Sequence, residues 1–373
     1  MKVCAAKCAS YNYAEVEAAV EEVFLEFGGI GARIKPGERV LVKPNMLEGL
    51  PPEKAVTTHP EVVRAVVRLV KKAGGIPVVG DSPGTGNTER VAARAGIARV
   101  CEEEGVELLP FAEAKDYAYP EGRTIKRFTL AKELSEVDKV ISVAKMKTHS
   151  FMGVTGGVKN LFGFNVATTK AQYHLRMQKR DDFAAMLCDL ALFIKPVFFI
   201  VDGVVGMEGN GPRNGSPKKA GVILGGDNGF AVDMVMTKMM GLEAEKMPVA
   251  RTALAWGAVV PLKDVEVAGS GRDMTFNFIP PDNIESLDGR VPAFLVRFFQ
   301  NQFTARPVMN ERCTGCGRCA RHCPPKAIKI ANRRAVVDYE KCIRCYCCQE
   351  LCPADAVELK EGFIMRVFSR KKK

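Results

Sequence analysis

Two cysteine-rich segments near the end of the 373-residue chain have a spacing that could hold metal. "CTGCGRCARHCP" covers residues 313–324 and "CIRCYCCQELCP" covers residues 342–353. A shift of 29 residues aligns four cysteines and a proline, placing Cys313, Cys316, Cys319, Cys323 and Pro324 on Cys342, Cys345, Cys348, Cys352 and Pro353. The match continues from "KAIKI" to "DAVEL", which indicates an internal duplication. Cys347 falls on Arg318 and is therefore the cysteine without a counterpart.

Each half carries a C-x2-C-x2-C-x3-C-P run, in which three thiolates hold one iron–sulfur cube and the fourth reaches the other cube. The pattern predicts two [4Fe–4S] clusters. The expected ligands are Cys313, Cys316, Cys319 and Cys352 for the first, and Cys342, Cys345, Cys348 and Cys323 for the second. Structural zinc usually takes two separated pairs of ligands, and disulfides belong to exported chains, so both alternatives fit less well. Residues 305–362 resemble the two-cluster ferredoxin domain over their whole length.

Composition indicates a soluble globular protein of two or three domains, with 47% hydrophobic and 26% charged residues. No run of eighteen apolar residues is present. Thirteen cysteines without an export signal predict a reducing compartment, and we expect the protein to be cytoplasmic. The five remaining cysteines are expected to be packed thiols: Cys4, Cys8, Cys101, Cys188 and Cys347.

The net charge of +11 is concentrated toward the end of the chain. Residues 304–334 hold eight Lys or Arg against one acid, and the chain closes on "RVFSRKKK". We expect this region to dock an acidic electron carrier such as a small ferredoxin or flavodoxin, because complementary charge speeds encounter. A solvated tail is the plainer alternative, and a membrane-surface contact by the tail is a weaker one. No basic motif with interleaved aromatic residues supports nucleic-acid binding.

The first 290 residues alternate short apolar strands with helical patterns, which predicts an α/β fold with a largely parallel sheet and helices on both faces. "RVLVKPN" (39–45), "IPVVG" (76–80) and "DKVISVAKMKTHS" (138–150) are predicted strands that lead into polar turns. We divide the chain into an α/β domain (1–290), a connecting helix (291–304), a small α+β ferredoxin domain (305–362) and a basic tail (363–373).

Polar residues and glycines cluster where these strands are predicted to end. The ligand crevice of an open α/β sheet lies outside the carboxyl ends of its strands, so these turns are expected to converge. The candidate binding residues are Lys43, Asn45, Ser82, Lys145, Thr148, Lys159, Asn160 and Glu208, and the candidate catalytic residues are Asp81, Lys147, His149 and Asp202. Each turn taken alone also has a purely structural explanation, because glycines make tight turns and Asp or Asn caps the helix that follows.

The same turns resemble the domain-of-unknown-function 362 family. The resemblance rests on "LVKPNM", "TTHPEVV", "GDSPG", "KMKTHSFMGVTGGVKNLFG", "DGVVGMEGNGP" and "AVD", and it covers roughly residues 1–290. The family is often fused to a C-terminal two-cluster ferredoxin domain, as here. The resemblance implies an iron–sulfur protein and supplies no catalytic roles for residues of the α/β domain.

The residue types themselves suggest an anion site. Lys145, Lys147 and Lys159 lie near backbone amides freed by glycines, which suits a carboxylate or phosphate, either on a substrate or on an additional cofactor. His149 suits a proton donor or metal ligand, or it simply holds its turn by hydrogen bonds. Asp81 and Asp202, each at a predicted strand end, are candidates for a general base or for orienting a ribose or a metal. His174, in "KAQYHLRMQKRDD", is expected to face solvent.

Three functions remain open from the sequence. The first is a redox enzyme in which electrons pass through the clusters to an anionic ligand in the crevice. The second is a non-catalytic electron-transfer or assembly subunit whose α/β domain is a docking platform. The third is a non-redox enzyme with structural clusters.

Overall fold

The structure is a computed structural model that describes residues 1–84, 86–166, 169–281 and 305–360. The predicted connecting helix (291–304) and the basic tail (363–373) lie outside the described residues.

The α/β domain is built around one mixed sheet of nine strands. Its strands and one separate hairpin (β5 and β6) are, in chain order, β1 (Lys2–Lys7), β2 (Arg39–Pro44), β3 (Ile76–Gly80), β4 (Glu107–Leu109), β5 (Ala114–Ala118), β6 (Arg127–Ala131), β7 (Lys139–His149), β8 (Gly153–Thr155), β9 (Phe198–Glu208), β10 (Ser216–Gly226) and β11 (Glu266–Ala268). The sheet order is β11-β1-β10-β9-β7-β2-β3-β4, with β8 on β7. Strands β9, β7, β2, β3 and β4 run parallel, whereas β10 is antiparallel to both neighbours. The predicted largely parallel sheet is confirmed.

Helices cover both faces of this sheet because its central strands are apolar on both sides. In β2, Val40 and Val42 belong to one buried core, and Leu41 belongs to the other. The helices of the first face are α1 (Tyr13–Leu25), α2 (Pro60–Lys72), α3 (Thr88–Arg94) and α4 (Ile97–Glu104). Those of the second face are α5 (Gly157–Asn160), α6 (Thr169–Arg176), α7 (Arg180–Ile194), α8 (Gly229–Met239) and α9 (Pro248–Ala255).

The ferredoxin domain consists of two antiparallel pairs of short strands and two short helices. Strand β12 (Arg306–Met309) pairs with β15 (Val357–Lys360), and β13 (Ile328–Ala331) pairs with β14 (Arg334–Val337). Helix α10 spans Arg318–Arg321, and α11 spans Cys347–Glu350. The small α+β ferredoxin-like fold predicted for the C-terminal domain is confirmed.

The 29-residue duplication extends to the backbone of this domain. Gly317 and Tyr346, which are 29 residues apart, both adopt the left-handed conformation directly before α10 and α11. Lys326 and Asp355 form a second such pair, with φ of 53° and 47°. Since non-glycine residues rarely adopt positive φ, the shared conformation reflects a common loop geometry in the two halves.

Ion pairs dock the ferredoxin domain onto the α/β domain. Glu48, in the loop after β2, forms ion pairs with Arg213 of the β9–β10 loop and with Arg318 of α10, the latter at 2.8 Å. Arg213 Nη1 also donates a hydrogen bond of 2.6 Å to the carbonyl oxygen of Cys352. The loop that follows β2 therefore contacts the helix that begins at Arg318.

The extents of two strands decide where candidate residues lie. Strand β7 spans Lys139–His149, close to the predicted 138–150, so Lys145, Lys147 and Thr148 lie within the strand and not in the turn that follows it. Strand β9 continues to Glu208, and the prediction that Asp202 ends a strand is wrong. The glycine at 203 supports close packing inside the sheet, because a Cβ there would lie 2.6 Å from Met146 Cε.

None of the helices within the described ranges is long and apolar enough to span a bilayer.

Candidate functional site

The first predicted cysteine set surrounds one small hollow in the ferredoxin domain. Cys313, Cys316, Cys319 and Cys352 all line it. The hollow thus gathers three cysteines of the first half with the last cysteine of the second half, as the crossed ligation pattern requires. Backbone N–H groups donate to Cys313 Sγ at 3.4 Å and to Cys352 Sγ at 3.2 Å. Such donors stabilise the thiolate form that binds iron.

The second set is also gathered by the fold. Burial raises the pKa of Cys323, and the neighbouring Cys345 and Cys342 raise it further. The pKa of Cys348 is raised by burial and then by the same two cysteines, with Cys323 also contributing. In the described chain, no three His, Cys, Asp or Glu side chains are grouped as ligands of one metal ion. The cysteines instead form two crossed sets, which suit [4Fe–4S] clusters that would supply one-electron transfer.

Cys347, which the sequence predicts to be no cluster ligand, lies beside the second set, and its thiol hydrogen-bonds with that of Cys345. Its side chain is buried and lines a larger cavity between the two domains. This cavity has a volume of about 910 Å³. The ferredoxin domain contributes six further residues to its lining, namely Arg321, His322, Cys323, Pro324, Glu350 and Leu351. A predicted cluster ligand, Cys323, therefore forms part of the cavity wall.

Seven of the twelve candidate residues of the α/β domain line this cavity. They are Asn45, Asp81, Ser82, Lys147, His149, Lys159 and Asn160. They come from the ends of β2 and β3, the end of β7, and helix α5. The carboxyl ends of adjacent parallel strands meet at one edge of the sheet, which is why these distant segments converge.

Lys43 lies behind the cavity lining and pairs with Asp81. The two side chains are fully or almost fully buried, with Lys43 Nζ 2.7 Å from Asp81 Oδ1. The other carboxylate oxygen of Asp81 accepts a 2.7 Å hydrogen bond from the N–H of Met46. A Cβ at Gly163 would lie 2.0 Å from Asp81 Oδ1, so the glycine of "NLFG" leaves room for this ion pair. Because it is paired, the Asp81 carboxylate contributes little net negative charge to the cavity.

Lys147 has no carboxylate partner in the described part of the chain. Its Nζ donates to Asn45 Oδ1 at 2.5 Å and to the carbonyl oxygen of Val56 at 2.8 Å. Burial, together with the smaller effect of the charges of Lys145 and Lys159, lowers its pKa to about 7. Two neutral oxygen acceptors leave one N–H of the ammonium for a ligand.

Lys159 is the least satisfied cation of the site. Among the described residues, its Nζ makes no hydrogen bond and no ion pair, and it lies over the rings of Phe162 (4.8 Å to the centroid) and Phe183 (5.7 Å). Burial lowers its pKa, whereas the charge of Glu350 raises it. The Lys159 side chain is half-buried, and its exposed part lines the cavity. An anion entering the cavity would find three free N–H donors here.

His149 joins the two domains at the cavity. Its Nδ1 accepts hydrogen bonds from the N–H groups of Phe151 (3.0 Å) and Met152 (3.2 Å). The imidazole hydrogen must then be on Nε2, which lies 3.4 Å from Glu350 Oε1 of helix α11. Burial lowers the pKa of His149 well below its ordinary value, so the ring is neutral. Burial likewise raises the pKa of Glu350 to about 7.

Three cavity residues were missed from the sequence. Lys170 and His174 lie four residues apart on helix α6 and share its inner face. The expectation that His174 faces solvent is wrong, because its ring stacks on Phe183 at 4.7 Å and is buried. The i,i+4 spacing of Lys170 and His174 was a usable signal. Glu350 gave no such signal, because its partner His149 belongs to the other domain.

Five of the twelve candidates lie outside the cavity lining: Lys43, Lys145, Thr148, Asp202 and Glu208. Asp202 pairs with Lys145 at 2.8 Å, and Tyr11 hydrogen-bonds to both. Thr148 Oγ1 donates to the Gly209 carbonyl at 2.7 Å. The carboxylate of Glu208 accepts from the N–H of Ile279 at 2.9 Å. The expectation that Asp202 shares a pocket with Lys147 is therefore wrong; its carboxylate is saturated inside the sheet.

The α/β fold and the crossed cysteine sets define an iron–sulfur protein of the [4Fe–4S] type. Residues 307–353 match the 4Fe-4S dicluster domain. Residues 40–238 match the family described as Domain of unknown function (DUF362), and the chain belongs to this family. The predicted fusion of the two domains is confirmed.

Two known proteins are similar to parts of this chain. The thylakoid-associated protein sll1697 of Synechocystis sp. is 36% identical over 240 residues, which is 64% of this chain and 74% of that protein. The lactate racemase apoprotein from Thermoanaerobacterium thermosaccharolyticum has a TM-score of 0.40 and 13% identity. That alignment covers 61% of this chain and 54% of the racemase, so the chain spans about half the length of that protein.

Proposed function

We propose that this protein is an oxidoreductase that passes electrons through two [4Fe–4S] clusters to an anionic ligand in the cavity between its domains. The observation that carries the proposal is the composition of the cavity wall. Cys323, a ligand of the second cluster set, lines the same cavity as the cations Lys147 and Lys159. A ligand held by these lysines would lie next to the electron donor.

The two cluster sites differ in their surroundings, which supports a direction for the relay. Cys316 of the first set is exposed, whereas Cys323 of the second set faces the cavity. We propose that an acidic one-electron carrier reduces the first cluster at the surface and that the second cluster reduces the ligand. Two electrons delivered in turn, together with two protons, would convert the ligand to its dihydro form.

Lys147 and Lys159 are proposed to bind the anionic group. Lys147 is fully buried, Lys159 is half-buried at the cavity, and neither has a carboxylate within ion-pair distance among the described residues. A buried ammonium without a counter-ion is unfavourable, and a bound carboxylate or phosphate relieves this cost.

His149 and Glu350 are proposed to deliver a proton together. Nε2 of His149 lies 3.4 Å from Glu350 Oε1, and both side chains line the cavity. Because loss of the Nε2 proton would turn the neutral ring into an imidazolate, we assign the proton to Glu350. The pKa of about 7 lets the Glu350 carboxyl group protonate a reduced ligand and regain a proton from solvent, while His149 positions that carboxyl group. Asp81 is proposed to position Lys43 and the turn after β3.

The test uses the small molecules that the protein itself retains. Protein purified without oxygen is denatured by heat, and the low-molecular-mass fraction is identified by mass spectrometry. That fraction is then added to fresh protein whose clusters have been reduced with dithionite, and reoxidation is followed by cluster absorbance. The fraction should reoxidise the wild-type protein. It should fail with Lys159→Met and succeed with the control Lys263→Met, which alters an exposed lysine far from the cysteines in sequence.

The other outcomes separate the alternatives. A fraction that contains a retained molecule but leaves the clusters reduced would favour a non-redox enzyme with structural clusters. A wild-type protein that retains no molecule would favour an electron-transfer or assembly subunit.

A further inference from the structure

The cavity is larger than a small anion requires. Its volume of about 910 Å³ lies at the upper end of the range for sites that enclose cofactor-sized or drug-sized ligands, roughly 300–1,000 Å³. Acetate or inorganic phosphate alone would leave most of this space to water.

Much of the lining is apolar. Six such residues surround the space, contributed by both domains: Met46, Leu47, Phe111, Phe162, Pro324 and Leu351. Apolar walls gain free energy when they exclude water against an apolar ligand surface, by about 25 cal/mol per Å² buried. The walls therefore favour a ligand with an extended apolar body.

The charged and aromatic parts of the lining meet at one point. Lys159 Nζ lies 4.8 Å from the centre of the Phe162 ring, and Phe162 itself lines the cavity. An anionic group bound at Lys159 brings the atoms attached to it near this aromatic ring. Because the Lys159 ammonium lies over the face of Phe162, a flat ligand ring would pack against this side chain in an offset or edge-on arrangement.

We infer that the ligand is a flat, largely apolar ring compound that carries one anionic group, with the anion at Lys159 and Lys147 and the ring against Phe162. This inference rests on the proposed function in that it concerns the same cavity, and it specifies the class of molecule that accepts the electrons. Conjugated rings of this kind can also take up two electrons and two protons without bond cleavage.

Three probes separate the charge from the ring. 2-Naphthoate carries both features, 2-naphthalenemethanol carries the ring alone, and acetate carries the charge alone. Their binding to the anaerobic, cluster-containing protein is measured by isothermal titration calorimetry, with inorganic phosphate as a second small anion. 2-Naphthoate should bind one molecule per chain and at least about tenfold more tightly than each of the others.

Substitutions then assign each feature to its residue. Lys159→Met should weaken 2-naphthoate about tenfold and leave 2-naphthalenemethanol unchanged, whereas Phe162→Ala should weaken both. Lys263→Met serves as the matched control, and iron content verifies that each variant retains its clusters.

The wild-type comparison alone can overturn the inference. If acetate or phosphate binds as tightly as 2-naphthoate, the site is a small-anion site; if no probe binds, the inference fails. Equal weakening of the acid and the alcohol by Lys159→Met would refute the assigned anion position. The probes could bind as expected while the molecules retained by the protein never reoxidise the clusters. That result would support the inferred class of ligand and refute the proposed redox function.

Discussion

Nε2 of His149 lies 3.4 Å from Oε1 of Glu350, and this contact joins the end of strand β7 to the short helix that carries Cys348. The tautomer is set within the α/β domain by two N–H groups that donate to Nδ1. Glu350 also acts electrostatically on Lys159 and Lys147. One carboxylate of the ferredoxin domain therefore faces the imidazole and both unpaired lysines of the proposed anion site.

Replacing Glu350 by Gln should tighten anion binding. The amide keeps the shape of the side chain but removes a negative charge that competes with the ligand for the two lysines. We expect the affinity for 2-naphthoate to rise about tenfold, since a nearby like charge costs on the order of 1 kcal/mol in a partly shielded site. Titration calorimetry measures the change, and Glu340→Gln, at an exposed position of the same domain, is the control. Unchanged or weaker binding would place the anion away from Glu350.

Anion binding should depend on pH through Lys147. Its pKa of about 7 in the free protein should rise toward the ordinary 10.5 when an anion binds beside it. At a pH between these two pKa values, binding of the anion is accompanied by uptake of as much as one proton. The affinity should therefore fall as the pH rises above 7, by at most about tenfold per pH unit. Below pH 7 the lysine is already charged and the dependence should flatten. Calorimetry in buffers of different ionisation enthalpy counts the protons, and a slope that persists in Lys147→Met would assign it to another group.

Cys347 should be dispensable for the clusters. The duplication aligns it with Arg318, a position without a cysteine in the first half, and its side chain lines the cavity. Cys347→Ser should retain about eight iron atoms per chain, whereas Cys348→Ser should lose a cluster. Iron and sulfide analysis of anaerobically purified variants makes the comparison. The reverse result would show that the 29-residue register is wrong.

Reduction by an acidic protein carrier should slow steeply as salt rises. Arg318 and Arg312 are already paired with Glu48 and Asp355, so we assign docking to the exposed Lys329 and Arg333. The backbone of Arg333 packs against Gly315, the neighbour of the exposed Cys316. Exposed charges are screened beyond about 10 Å at 0.1 M salt.

The charge-reversed double variant tests this docking surface. Lys329→Glu with Arg333→Glu should lower the stopped-flow reduction rate about tenfold at low salt, and Lys263→Glu should not. A rate indifferent to both salt and the double variant would refute this surface.

Lys145 and Asp202 should matter for stability. Lys145→Met leaves the Asp202 carboxylate buried without its cation, and this change should lower the free energy of unfolding by about 3–5 kcal/mol. Denaturant unfolding of the cluster-containing protein measures the loss, with Lys263→Met expected within about 0.5 kcal/mol of wild type. In the double variant Lys145→Met/Asp202→Leu much of the loss should be recovered. A small effect of Lys145→Met would show that Tyr11 and the backbone suffice for Asp202.

The sequence by itself determined the cysteine sets. Ligand spacing in each half is a local property of the chain, and the 29-residue repeat fixes which cysteine is left over. The repeated left-handed residues, such as Gly317 and Tyr346, show that the two halves also share their turn geometry. The short apolar runs likewise predicted a largely parallel sheet with helices on both faces, and the alternate residues of β2 do belong to two cores.

Only the tertiary structure decided which polar residues meet. Lys147 and Asp202 both looked like strand-end residues, yet β9 continues past Asp202 and pairs it with Lys145 inside the sheet. His174 lies in a polar stretch of sequence but is buried by helix packing. Glu350 reaches His149 across more than two hundred residues of chain. A local sequence pattern predicts only the secondary structure of its own segment. Strand length and domain docking depend on contacts between segments that are distant in sequence, so no local pattern predicts them.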